Sequence, residues 1–412
     1  MTDAAATPQA ADAADLTVVD LGDLGLDAGG HLLLDRALRD LAPGGRIRVV
    51  GRDAHLRVHL APWARARGHR LVDAGAAEGW VIACGRAEDR RWAGAVRAGS
   101  PGVDGIVSSP LATWGLAARG ALVEEGGPAL ASADLDDRDQ VWTDLAPKLY
   151  AQAAAGQWDP ATAIDWVAIT RAPLAGDVEA AVVQVMTYLI ENEQAALMVP
   201  ARFLARIHPH FREIVQFLAT QIADEARHVE VFTRRATSRD QPLGVSGAGG
   251  RASLQTLLQE PDWATASFLL SVLGEGTFLS LLAFIERFAP DPVTGQIAHL
   301  VLQDEARHVA FAMGHLREHL SNDPHYRDRL RAATERRHDA LAATAGLSPA
   351  VLDSLVVLAA GSWAPADIAA GWRRTQDLVA EMDEGRRRRL VRLGFSDTEA
   401  QALSELHTRN FM

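Results

Sequence analysis

The pentapeptide Asp-Glu-Ala-Arg-His occurs twice in this 412-residue chain, at Asp224–His228 and at Asp304–His308. Each copy sets a Glu and a His three positions apart, Glu225 with His228 and Glu305 with His308. Residues i and i+3 share one face of an α-helix. Each copy therefore offers a carboxylate and an imidazole to the same point in space. Two such helices facing each other can hold a pair of metal ions, provided two further helices each add a Glu.

Those two carboxylates are sought upstream of each copy. Between Trp263 and Glu286 the sole ionisable residue is Glu275, set between Gly274 and Gly276. A lone carboxylate in so apolar a stretch is costly unless it is protonated or binds a cation. Ahead of the first copy stand Glu191 and Glu193, which point about 160° apart on a helix. The face of Glu193 carries Met186, Leu189, Ile190 and Leu197, whereas that of Glu191 carries Gln184, Thr187 and Gln194. The repeat agrees, since Glu193 precedes Glu225 by 32 residues and Glu275 precedes Glu305 by 30. The expected donor set is Glu193, Glu225, His228, Glu275, Glu305 and His308.

Four carboxylates and two imidazoles suit iron or manganese, including a mixed Mn/Fe pair. Structural zinc and iron–sulfur clusters are disfavoured, because the chain has a single cysteine, Cys84. A metal-bound His usually hydrogen-bonds a carboxylate through its other ring nitrogen. Asp224 and Asp304 precede the two Glu residues and could serve, reaching across to the opposite His. Arg227 and Arg307 lie off the donor face and are expected to pair with acids on neighbouring helices. Phe232, Phe278 and Phe311 are candidates to line or back a pocket, although plain core packing is the commoner role for such residues.

The elements that must carry these residues are four long helices: Asp177–Arg206, His210–Thr237, Asp262–Phe288 and Val293–Leu320. A Gly/Ser-containing stretch at 238–251 joins the second to the third, so a long crossover connects two helical hairpins. Ahead of them, Trp142–Trp166 reads as a helix and turn packing on the bundle. The N-terminal part has a different pattern. Thr17–Leu21, Arg46–Val50, His69–Asp73 and Trp80–Cys84 read as strands, and Leu32–Leu41 and His55–Arg67 as helices. The expected fold class is a multidomain α+β protein: a small β-α-β-α-β-β sandwich, then a four-helix bundle with extra C-terminal helices. The expected divisions are a disordered tail at 1–16, the sandwich at 17–85, a linker at 86–140, the bundle at 141–325 and a helical extension at 326–412. Within the extension, the basic run Arg386–Arg389 is expected to be a solvated face.

A formal net charge of −12 argues against nucleic acid and anionic membranes as partners. One cysteine precludes an internal disulfide and fits a reducing, cytoplasmic setting. Met1–Asp15 is Ala-rich and acidic and lacks the features of a secretory signal. Ala264–Ile285 is long enough to span a membrane. Its central Glu275 and its amphipathic neighbours favour a buried core helix.

Two resemblances follow. Residues 20–84 resemble a TusA-type sulfur-carrier domain through Ala37-Leu38, Leu41, Pro43-Gly44-Gly45, Ile47, Val49, Asp53, Gly68-His69 and Leu71. That family carries sulfur on a Cys in a Cys-Pro-x-Pro motif. Here the stretch is Leu26-Asp27-Ala28-Gly29-Gly30, with no thiolate for persulfide chemistry, so sulfur transfer is not expected. Its remaining roles are to hold a homodimer together or to present a substrate or carrier protein. Residues 150–320 resemble the ferritin-like superfamily, on its side of ribonucleotide-reductase small subunits and carboxylate-bridged oxygenases. The lead-in Tyr150 to Trp166, with Gln157-Trp158-Asp159-Pro160, adds to the likeness.

The ferritin-like resemblance implies O₂ activation at two iron ions and oxidation of a small organic substrate by hydroxylation, desaturation or N-oxygenation. Electrons would come from an external donor, since no flavin, nicotinamide or iron–sulfur motif is visible. A reductase radical role is not expected, because Phe232 stands where that family has its Tyr. Two rival readings remain: a di-manganese or Mn/Fe oxidase or catalase-like enzyme, and a non-catalytic metal-binding scaffold.

Overall fold

A computed structural model describes residues 16–73, 79–85, 94–125, 127–171, 173–341 and 349–408. The expected tail, apart from Leu16, lies outside them. The chain divides into two compact units: residues 1–97 with 122–127, and residues 98–121 with 128–412.

In the first unit, strands β1 (Thr17–Asp20), β2 (Arg46–Val50), β3 (Arg70–Asp73) and β4 (Trp80–Ala83) form one sheet in the order β1-β2-β4-β3. β1 runs parallel to β2, and the other pairs are antiparallel. Helices α1 (Gly30–Arg39) and α2 (Leu56–Ala66) connect β1 to β2 and β2 to β3. α1 buries Leu34 and Leu38, and α2 buries Leu56, Leu60 and Ala64. These are helical spacings of four, a single apolar stripe per helix. Ile47 and Val49 alternate inward from β2 to meet them. Cys84 is partly buried at the edge of this core. A short antiparallel pair, β5 (Val96–Arg97) with β6 (Leu122–Val123), completes the unit.

The second unit is helical. Helix α3 (Ala146–Ala155) precedes α4 (Gly176–Leu204) and α5 (Arg212–Thr237), which pack along each other. Helix α6 (Ala248–Gln259) lies in the crossover. It leads to α7 (Trp263–Phe288) and α8 (Pro292–Asn322), the second closely packed pair. Asp262 caps α7 through the Thr265 amide at 2.8 Å, and Asp291 caps α8 through the Thr294 amide at 2.9 Å, with Pro292 in the first turn. α9 (Tyr326–Leu341), α10 (Pro349–Ala360), α11 (Pro365–Arg392) and α12 (Asp397–Thr408) follow, with α10 against α4 and α11 against α7.

α7 is long and apolar enough to cross a membrane, but 83% of its most apolar window is buried in the protein. It is the bundle's core helix. Its middle, Phe268–Glu275, winds as a π-helix. Such turns are rare overall and frequent at functional positions.

Two expectations are corrected. Residues 98–121 and 128–140, read as linker, belong to the helical unit. Arg119 there is buried and pairs with Glu213 of α5 at 2.6 Å, and Trp114 packs on His210. Arg386, read as solvated, is 1% exposed, and Arg389 donates to the Val272 carbonyl at 2.8 Å. The four-residue charge run winds around a helix, so its members face different ways. Only some reach water.

Candidate metal centre

α4, α5, α7 and α8 each aim one carboxylate at a common point in the bundle: Glu193, Glu225, Glu275 and Glu305. All four are 0–2% exposed, as are His228 and His308. Glu191, the alternative on α4, is half-buried and points elsewhere. The six expected donors are thus brought together.

They form two overlapping groups. Glu193, Glu225, His228 and Glu305 place one donor atom each within 4.8 Å of one another, and so do Glu225, Glu275, Glu305 and His308. Glu225 and Glu305 belong to both, as bridging carboxylates would. His228 Nδ1 lies 3.2 Å from Glu225, 3.4 Å from Glu193 and 3.3 Å from Glu305. His308 Nδ1 lies 3.0 Å from Glu225 and 3.5 Å from Glu305. The ring centroids are 6.3 Å apart.

Several of these buried atoms make no well-formed hydrogen bond, though some have polar neighbours within the cluster. They are Glu193 Oε1, Glu225 Oε1, Glu275 Oε2, both oxygens of Glu305, and His308 Nδ1. Buried polar atoms are normally paired. Six donor atoms that make no well-formed hydrogen bond converge on one point, four carboxylates among them, and fit two hard cations.

The outer nitrogens are fixed by the aspartates, crosswise. His228 Nε2 meets Asp304 at 3.2 Å, and His308 Nε2 meets Asp224 at 3.2 Å. An ionised aspartate holds the imidazole proton on Nε2 and leaves Nδ1 facing the carboxylates. The aspartates are held in turn. Trp158 Nε1 donates to Asp304 at 2.8 Å, and Gln157 Nε2 to Asp224 at 3.1 Å. Arg227 and Arg307 each pair with both aspartates, one on the Arg's own helix and one on the opposite helix. Arg227 also lies over the Trp158 ring, 5.1 Å from its centroid.

Electrostatics follow from burial. Burial pushes the Glu193 carboxyl well above its ordinary value, and the neighbouring Glu225 charge adds to this. Burial and the Glu305 charge do the same to Glu275. Burial opposes charge on His228, but its bonds to Asp304, Glu193, Glu225 and Glu305 outweigh it and raise the imidazole well above the usual range. His308 is raised likewise, against burial, by Glu225, Glu305 and Asp224. Burial acts to raise Asp304, but its bond to His228 prevails and holds it down at about 2. Without metal, the cluster therefore keeps protons where cations would sit.

Phe232, Phe278 and Phe311 are all buried. Phe311 stacks on Phe217 with centroids 4.3 Å apart, and Phe217 meets His308 edge-on. Phe278 packs near Tyr188. Three contributors escaped the sequence reading. Gln157 and Trp158 sit outside the four helices, and nothing in their spacing points to the aspartates. Gln221 Nε2, 3.4 Å from Glu275, lies one helical turn before Glu225 on α5; that i−4 offset was the available signal.

No protein-family model matches the sequence, and no curated protein matches it. Among solved structures the chain is similar to R2-like ligand-binding oxidases. One, with an anaerobically reconstituted Mn/Fe cofactor, is 22% identical with a TM-score of 0.45, over 59% of this chain and 94% of that one. Another, with the Mn/Fe cofactor reconstituted aerobically, is 20% identical with a TM-score of 0.42, over 62% and 95%. A third, whose aerobically reconstituted metal cofactor was photoconverted, is 20% identical with a TM-score of 0.41, over 64% and 92%.

Proposed function

We propose that this chain is a non-haem di-metal oxidoreductase that activates O₂ to oxidise a small organic substrate. The observation that carries the reading is the pair of buried donor groups sharing Glu225 and Glu305. Glu193 and His228 would hold one ion, Glu275 and His308 the other, and Glu225 and Glu305 would bridge them. Bound iron, or a manganese–iron pair, supplies the electron steps of O₂ reduction.

The chain's own residues do the rest. Each of the four carboxylates keeps at least one oxygen that makes no well-formed hydrogen bond and would be free to bind an ion. Asp304 and Asp224 retain the Nε2 protons, so His228 and His308 would offer Nδ1 to the ions. Apolar packing around Phe217, Phe232 and Phe311 excludes water, which strengthens every charge interaction inside. The π-turn ending at Glu275 sets that carboxylate's direction on a helix with no other ionisable residue between Trp263 and Glu286. Electrons would arrive from a separate reductase. Hydroxylation, desaturation and N-oxygenation of the substrate are the reactions this arrangement suits.

The test is the reaction of protein loaded anaerobically with iron(II), or with manganese and iron, and then exposed to O₂. Two metal ions per chain and an O₂-dependent change in the visible spectrum support the reading. Two manganese ions with rapid O₂ release from peroxide would replace it with a catalase-like enzyme. Stoichiometric metal with no O₂ reaction would leave a metal-binding scaffold.

A further inference from the structure

A second cluster of buried charge lies between α6, α7, α9, α11 and α12, and it is basic. Arg337 is 6% exposed, Arg386 1% and His407 5%. Arg389 is partly buried beside them. Helices α9 and α11 both pack on α12, which carries His407, and the charges of Arg386, Arg337 and Arg389 all act on that imidazole. Among the described residues, neither Arg337 nor Arg389 has a carboxylate within ion-pair distance.

The hydrogen bonds leave donors over. Arg337 Nη2 donates to Ser253 of α6 at 2.6 Å, while its Nε and Nη1 have no partner. Arg389 Nε donates to Val272, while its Nη2 has none. His407 Nε2 has none either. Arg386 reaches Ser404 at 3.1 Å and Thr277 at 3.3 Å. Burial pushes Arg337 and Arg386 down to about 10. Burial, and then the charges of Arg386 and Arg392, pushes Arg389 down to about 9. Buried like charges with spare donors are costly unless an anion joins them.

Two further features shape the place. The Arg389 guanidinium occupies the space that a Cβ at Gly276 would fill, so a larger residue there would displace it. A pocket of about 210 Å³, lined by Leu269, Ala333, Arg336 and Arg337 among others, opens beside Arg337.

We propose that Arg337, Arg389 and His407, with Arg386 beside them, form a receptor for the oxyanion of a small ligand, a carboxylate or a phosphate group. Guanidinium forks match both groups. The receptor adjoins the metal centre through one helix: Arg389 holds the Val272 carbonyl inside the π-turn that ends at Glu275, and Arg386 holds Thr277 just beyond it. An anion drawing on Arg389 therefore bears on the turn that aims Glu275. The inference does not depend on the metal reading.

The test is calorimetric titration of the full chain with sodium phosphate and with sodium acetate, in buffer otherwise free of both, against sodium chloride at equal ionic strength. Metal content is measured on the same samples, which separates failure of this site from failure of the metal centre. Saturable one-site binding of phosphate or acetate, weakened about tenfold or more in both Arg337→Gln and Arg389→Gln, is the expected result. Preference for acetate assigns a carboxylate ligand, and preference for phosphate a phosphate ester. Absence of saturable binding by either anion overturns the proposal, as does unchanged binding in both variants. Should a variant fail to fold, the wild-type Tm decides. A rise with phosphate or acetate but not with chloride supports the site, and no rise overturns it.

Discussion

His228 and Asp304 sit on different helices, with Nε2 of one 3.2 Å from a carboxylate oxygen of the other. The same oxygen accepts from Trp158 at 2.8 Å. Asp304 thus fixes which ring nitrogen of His228 faces the four glutamates. Asp304→Ala is expected to lower metal affinity by about 10–100-fold while leaving all six donors in place. Competition against a chromophoric chelator measures this; unchanged affinity would remove Asp304 from the site.

Glu275 and Glu191 form a matched pair of tests. Glu275→Ala removes the only carboxylate α7 contributes and is expected to lose at least one metal per chain. Glu191→Ala removes a half-buried side chain on the wrong face of α4 and should keep both. Metal analysis of the two purified variants decides. Full occupancy in Glu275→Ala would mean that the donors have been misassigned.

pH should move the metal-free and metal-loaded forms in opposite directions. The Glu193 and Glu275 carboxyls are raised well above 4.5, and the His228 and His308 imidazoles well above 6.5. The folded metal-free protein therefore binds protons that the unfolded chain releases. The stability these groups contribute is present below their unfolded values and is lost as pH rises through their folded ones. The Tm of the metal-free protein should fall between about pH 5 and pH 8. Cations replace those protons, so loading releases protons and tightens as pH rises. Thermal melts of both forms across this range, with proton release followed by a dye, test the sign.

Arg235 anchors the end of the bundle. It pairs with Glu179 of α4 at 2.6 Å and with Asp291 at 2.8 Å, and its Nε donates to Thr294 at 2.7 Å, all buried. Arg235→Met would leave Asp291 without its cation and Glu179 with only Arg239, at 3.6 Å, which costs about 3–5 kcal/mol. Urea unfolding of the metal-free protein should show the loss as a lower midpoint with an unchanged slope.

The four long helices were legible because apolar residues recur along them at helical spacing and the repeated Asp-Glu-Ala-Arg-His places two of them. Glu193 was separable from Glu191 by the company each keeps on its face. The π-turn at Phe268–Glu275 was not legible, since a stretch so nearly apolar, broken only by Ser271 and Glu275, carries no period from which a shift could be read. Trp158 and Gln157 reach the aspartates from a connecting segment, and no local pattern records so distant a contact. Arg386 looked solvated because a run of four arginines is ordinarily a surface feature. Its burial depends on α12, whose place against α11 is a tertiary fact.

The crosswise exchange of aspartates has a consequence for assembly. Each donor group takes three residues from one helical hairpin and its last glutamate from the other, and each histidine is oriented by an aspartate from the opposite hairpin. Neither hairpin can complete a group alone. Yet a hairpin paired with its own copy about a two-fold axis would present the same set of donors. The bundle is in this sense a tethered dimer, and losing the contact between its halves would dismantle both groups together.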